Sequence, residues 1–171
     1  MFGIDVTDVT TTAQAPLGAC LVAPSTSAGA DQDTGEHVWV YVKNEEASTA
    51  WVVGQVVARK AATGTYGGII APVSTPSNRI LGVAQHAIAA GSYGFILRTG
   101  KGSVLAGSET IEVDKGVYVS KAVAGAGQDP VTPLVDANTA ITEVHLAGPF
   151  ATGLADAAST ALGLCFLDCR G

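Results

Sequence analysis

The chain has 171 residues, 47% hydrophobic and only 14% charged, with 21 Gly and a formal net charge of −6. That balance excludes a charge-solvated disordered chain, and it excludes a heptad coiled coil, which needs abundant Leu, Glu, Lys and Arg. The length suits one domain that buries about 70% of its unfolded surface.

Residues 1–35 read as an extended N-terminal arm. They mix Thr, Ala, Pro, Ser and Gly with little periodicity and hold no aromatic residue after Phe2. Such a segment is ordered by packing against something rather than by its own core. Residues 18–23 form one short strand within it.

From His37 the pattern turns to period two. Val38, Val40 and Val42 take one face and Trp39 and Tyr41 the other, as in a strand covered on both sides. A turn at residues 44–46 leads to a second β run over residues 50–58, and a Gly-bearing loop follows over 61–68. Pro72, Pro76 and Asn78 mark another turn before a strand over 79–86. Residues 89–92, with Gly91, separate that strand from residues 93–98 as in a hairpin. Shorter β runs follow at 103–106, 111–113 and 117–120. Residues 123–133 form a Gly/Pro-rich loop, residues 143–147 a weak strand, and residues 161–168 a closing strand. The Ala-rich stretch 151–158 leaves room for a helical turn or two at most. Glycine inside strands, at Gly82 and Gly163, points to bulges or tight corners. The expected fold is all-β: a small β-barrel or sandwich over residues 36–171, with little helix and the arm over 1–35.

Charge is unevenly placed, with Asp5, Asp8, Asp31, Asp33 and Glu36 all preceding the first basic residue, Lys43. No basic cluster is present to displace counterions from phosphates, so no nucleic-acid partner is expected. The N-terminus lacks the charged and apolar regions of a signal peptide, and no apolar run approaches the ~18 residues of a membrane span, so no membrane partner is expected. The three cysteines, Cys20, Cys165 and Cys169, are an odd number and lack zinc or redox spacing. They read as small buried hydrophobes in a protein made in a reducing cytoplasm.

No catalytic, cofactor-binding or metal site is expected. Ser, His and Asp occur without triad spacing or a Gly-x-Ser-x-Gly elbow. His37, His86 and His145 are isolated, as surface or core histidines are. Asp31-Gln32-Asp33-Thr34-Gly35-Glu36 resembles the start of a calcium loop, but it lacks the third oxygen ligand and the bidentate Glu, which leaves an acidic turn. Gly125-Ala126-Gly127 lacks the third glycine and the following helix of a dinucleotide loop. Trp39, Tyr41, Trp51, Tyr66 and Tyr93 would offer a carbohydrate-stacking platform if exposed on one β face, whereas core packing explains them more simply. Low charge and many small residues favour protein–protein contact, since charged residues are depleted at interface cores.

Residues 79–85 and 89–96, Arg-Ile-Leu-Gly-Val-Ala-Gln followed by Ala-Ala-Gly-Ser-Tyr-Gly-Phe-Ile, resemble head decoration (cement) proteins of tailed bacteriophages. In that family a Gly-Val-Ala strand is followed by a small-residue turn and an outgoing strand of a small β-barrel. Residues 161–167 are similar to the family's closing strand. The resemblance implies no active site. It implies a non-enzymatic virion protein, made in the bacterial cytoplasm, that binds the major capsid protein in many copies on the capsid exterior. It implies clamping of neighbouring capsid subunits, with residues 1–35 as the clamp and with self-association, as a trimer or between neighbouring copies, compatible. A tail or baseplate component and a carbohydrate-binding module are the competing readings.

Overall fold

The computed structural model describes residues 5–24, 35–60, 66–73, 75, 77–108, 110–120, 122–128 and 149–169. Ten strands follow in chain order: β1 Cys20–Pro24, β2 Glu36–Asn44, β3 Val56–Arg59, β4 Gly67–Ile70, β5 Ile80–Val83, β6 Tyr93–Leu105, β7 Gly116–Val119, β8 Gly127–Gln128, β9 Ala151–Gly153 and β10 Leu162–Asp168. Among the described residues the only helical turn is a 3-10 turn at Ser77–Arg79. The fold is therefore all-β, as the alternation predicts.

The strands run in the order β1-β2-β4-β3-β5-β6-β10-β9-β7-β8, and β2 also pairs with β6. That second pairing closes β2, β4, β3, β5 and β6 into a five-strand barrel. Outside it, β1 lies against β2, while β10, β9, β7 and β8 continue the sheet from the far half of β6. All these pairings are antiparallel except β2 with β4.

Both faces of the barrel wall are buried, which explains why β2 is apolar on both sides. Trp39 and Tyr41 join Val56, Phe95, Leu97, Val104, Ile111, Phe150 and Leu167 in the larger core. Val40 and Val42 turn the other way, onto Trp51, Val57, Leu81, Ile88 and Ile96. A bulge lets β5 serve both cores. Val57 faces Gly82 and Ala58 faces Ile80, which leaves Leu81 unpaired. The extra residue puts Ile80 and Val83 in the larger core and Leu81 in the smaller. Glycine is needed there because a Cβ on Gly82 would stand 2.5 Å from the Leu97 carbonyl oxygen. Gly163 is different: it pairs regularly with Val104, and its missing side chain makes room for Ala157 and Ile111.

Several expected boundaries move. Residues 93–105 form not two runs but one strand, β6, thirteen residues long. Gly100, at φ 116°, does not end it, because the strand changes partner next to it: β6 pairs with β2 up to Thr99 and with β10 from Thr99 onward. The proposed β run over 50–58 shrinks to β3. Trp51 makes a single bridge to Ile88, and the chain then turns at Gly54, φ 83°. The hairpin of residues 79–98 is loose: β5 pairs with β6 only at Val83 and Leu97, and the first half of β6 pairs instead with β2. No helical turn forms over 151–158, whose first residues are β9. The strand expected at 143–147 and the calcium-like residues 31–34 lie outside the described residues.

Candidate functional site

The N-terminal segment, residues 5–24, is laid along the barrel and ends in a strand with one open edge. Thr10 exchanges both backbone hydrogen bonds with Tyr93, its N–H to the Tyr93 carbonyl at 3.0 Å and the return bond at 2.8 Å. Further along, the Gln14 N–H donates to the Tyr41 hydroxyl at 3.1 Å. Gly18 N–H donates to the Tyr41 carbonyl at 2.8 Å, and Tyr41 N–H to the Ala19 carbonyl at 2.9 Å. Tyr41 is thus the anchor, buried against the Tyr93 and Phe95 rings at centroid distances of 6.2 and 5.0 Å. Gly18, at φ 84°, lies so close to the Tyr66 ring that no Cβ would fit. Val6, Ala15, Ala19 and Ala23 pack on the larger core.

From this anchor β1 runs antiparallel to β2, Cys20 opposite Val40 through Pro24 opposite Glu36. β2 is its sole partner among the described residues, so β1 ends the sheet. Unpaired N–H and C=O groups on such an edge are a template for a further strand. Its apolar side chains are not withdrawn: Leu21 is 37% and Val22 55% exposed, and Leu17, just ahead of β1 in the chain, is exposed as well. An added strand would gain backbone hydrogen bonds from the edge and apolar contact from Leu21 and Val22.

The electrostatics under the segment centre on His86 and Asp5. Burial lowers the His86 imidazole below its ordinary 6.5, and the nearby Asp5 charge opposes that shift. Neither His86 nitrogen has a hydrogen-bond partner among the described residues. The Asp5 carboxyl is held below its usual range by the Thr7 N–H and hydroxyl, at 2.9 and 3.0 Å. Burial also lowers His37.

The other sequence-level candidates are dispersed. Trp39 and Tyr41 lie in the larger core and Trp51 in the smaller, all buried, so the five aromatic residues do not assemble into a stacking platform. Gly127 and Gln128 form β8 rather than a phosphate loop. Cys165 and Cys169 are buried free thiols, as expected, whereas Cys20 is exposed on β1. Among the described residues no group of three His, Cys, Asp or Glu could hold a metal ion, and no helix is long and apolar enough to cross a membrane. The short strand at 18–23 is legible in sequence, but its pairing to β2 and its open edge are not.

No protein-family model matches the chain, and no curated protein does. Among solved structures, the chain is similar to the N base of the head fiber gp8.5 of bacteriophage phi29, at 13% identity and a TM-score of 0.49. The likeness covers 78% of this chain and 95% of that one, and at that identity and score it assigns no function.

Proposed function

We propose that the chain is a virion structural protein of a tailed bacteriophage, bound in many copies to the outer surface of the expanded capsid. It stabilises the shell by clamping neighbouring major capsid subunits. The observation that carries this reading is the open edge of β1 with Leu21 and Val22 exposed, at the end of a segment fixed to the barrel by Tyr41. A docked rather than free strand limits the ordering cost of adding a partner strand, because its backbone is already extended. The decoration-protein resemblance supports the same reading, since its residues fall on β5, the start of β6 and β10, strands that adjoin in the sheet. Low charge suits close contact with a repeated protein lattice.

The test is co-sedimentation of the purified chain with expanded, DNA-free capsids of the phage that encodes it. Saturable binding, weakened at least about tenfold by Leu21→Asp with Val22→Asp, supports the reading. Absence of binding by the native chain overturns it. Native binding that the double variant retains removes β1 from the mechanism.

A further inference from the structure

A second surface, away from β1, is apolar where an exposed sheet face is ordinarily polar. Along β10 the inward residues Gly163, Cys165 and Leu167 are buried, while Leu162, Leu164 and Phe166 point outward at 51%, 37% and 46% exposure. Around them, Leu105 lies opposite Leu162, Ser103 opposite Leu164, and Lys101 and Thr152 opposite Phe166. Leu154, also exposed, donates its N–H to the Leu164 carbonyl at 2.8 Å. Leu162 rests on Gly54, which follows the exposed Val52 and Val53. A sheet with one wet face alternates apolar and polar residues, whereas β10 has the composition of a strand covered on both sides.

The size and charge of this face select its occupant. The exposed leucines, valines and phenylalanine together present on the order of a few hundred Å² of mostly apolar surface, the scale of a functional patch. A standard interface takes about 800 Å² from each partner and a homodimer interface is about 65% apolar, so one side needs about 500 Å² of apolar area. The central row, Ser103, Leu164 and Leu154, is uncharged, so two copies of a chain with net charge −6 can meet there without opposing like charges. Lys101 and Asp168 stand at the Phe166 end alone, and the Leu162 end is lined by Leu105 and Gly54. Antiparallel stacking therefore sets each charged end over an uncharged one.

We propose that the outer face of β10 is the interface of a two-fold homodimer. Leu164 packs on Leu164 of the second copy, and Phe166 packs on its Leu162. Such an arrangement is self-complementary, as a two-fold axis requires, and stacks the sheets face to face. It is independent of capsid binding through β1.

Sedimentation velocity of the full chain, from about 1 to about 200 µM, tests this. The expected species is a dimer of the 17.1 kDa chain. Leu164→Asp with Phe166→Asp weakens it by at least about a hundredfold, and Phe166→Thr, which keeps strand propensity, by about tenfold. Both remain folded by circular dichroism, and Leu21→Asp with Val22→Asp still dimerises. A native chain that is monomeric throughout overturns the proposal. Binding of a fluorescent apolar dye would then indicate a different partner for the face, and lack of binding a covering from within the chain. A trimer, or a dimer insensitive to both substitutions, also overturns it.

Discussion

Asn44 should be the costliest polar side chain to lose from the described fold. It is fully buried at the end of β2, where its amide Nδ2 donates to the Thr49 and Ile88 carbonyls at 3.0 and 2.9 Å. Its Oδ1 accepts the Glu46 N–H at 3.0 Å. Its backbone adds bonds to Ser92 and Gly91, so one residue fastens two connections to the barrel. Asn44→Ala removes three side-chain bonds. The Ile88 carbonyl keeps a second donor, the Trp51 backbone N–H, the Thr49 carbonyl belongs to an exposed residue, and the Glu46 N–H belongs to a residue only partly buried. At about 1 kcal/mol per bond, the loss is therefore about 2–3 kcal/mol rather than the larger cost of orphaned groups. For a chain of this size that lowers Tm by about 4–12 °C. Urea unfolding with an unchanged slope is the assay.

Asn44→Asp sharpens the test, because it keeps the acceptor and turns the donor into an oxygen facing two carbonyls. At pH 7 it should be less stable than Asn44→Ala, since a buried carboxylate lacks compensation. Burial raises that carboxyl's pKa in the folded state above the ordinary ~3.9, so the folded form binds more protons than the unfolded one. Stability is then recovered as pH falls through the raised value, with the gain complete below about 3.9. A loss under about 0.5 kcal/mol for Asn44→Ala, or an Asp variant more stable than Ala at pH 7, would show that the Asn44 bonds do not hold these connections.

Gly82→Ala forces a Cβ to within 2.5 Å of the Leu97 carbonyl and should cost about 2–4 kcal/mol, whereas Gly91→Ala meets open space at φ 76° and should cost about 1 kcal/mol. Comparison of urea midpoints checks the pair. A thiol reagent should modify one cysteine of three in the native protein, Cys20, because Cys165 and Cys169 are buried and burial pushes the Cys169 thiol to about 12. Unfolding should release all three, and capsid binding through β1 should protect Cys20. His86 and His37 have folded pKa values below 6.5, so the unfolded state takes up more protons as pH falls through 6.5 and stability drops on acidification. His86→Gln should flatten the decline in urea midpoint below about pH 6.5, and an unchanged profile would remove His86 as a cause.

What was legible in the sequence is local. The alternation of residues 37–43 showed a strand buried on both faces, and the glycines within strands pointed to bulges or tight corners, which Gly82 fulfils with a bulge and Gly163 does not. What was not legible depends on distant partners. Gly100 looks like a strand end, yet β6 passes through it by exchanging β2 for β10. Trp51 looks like strand interior, yet its neighbours turn at Gly54 so that the ring can fill the smaller core. The edge status of β1 follows from β2 being paired elsewhere to β4 and β6, which no local pattern records. The outward apolar residues of β10 did carry a signal, since both of its faces are apolar as in β2.

A decoration role is open to one decisive measurement, quantitative mass spectrometry of purified particles of the encoding phage, counting copies of this chain against the major capsid protein. Many copies are expected, at one per capsid subunit or a simple fraction of it. A handful of copies would place the chain in a tail or baseplate instead, and its complete absence from the particle would contradict a virion role.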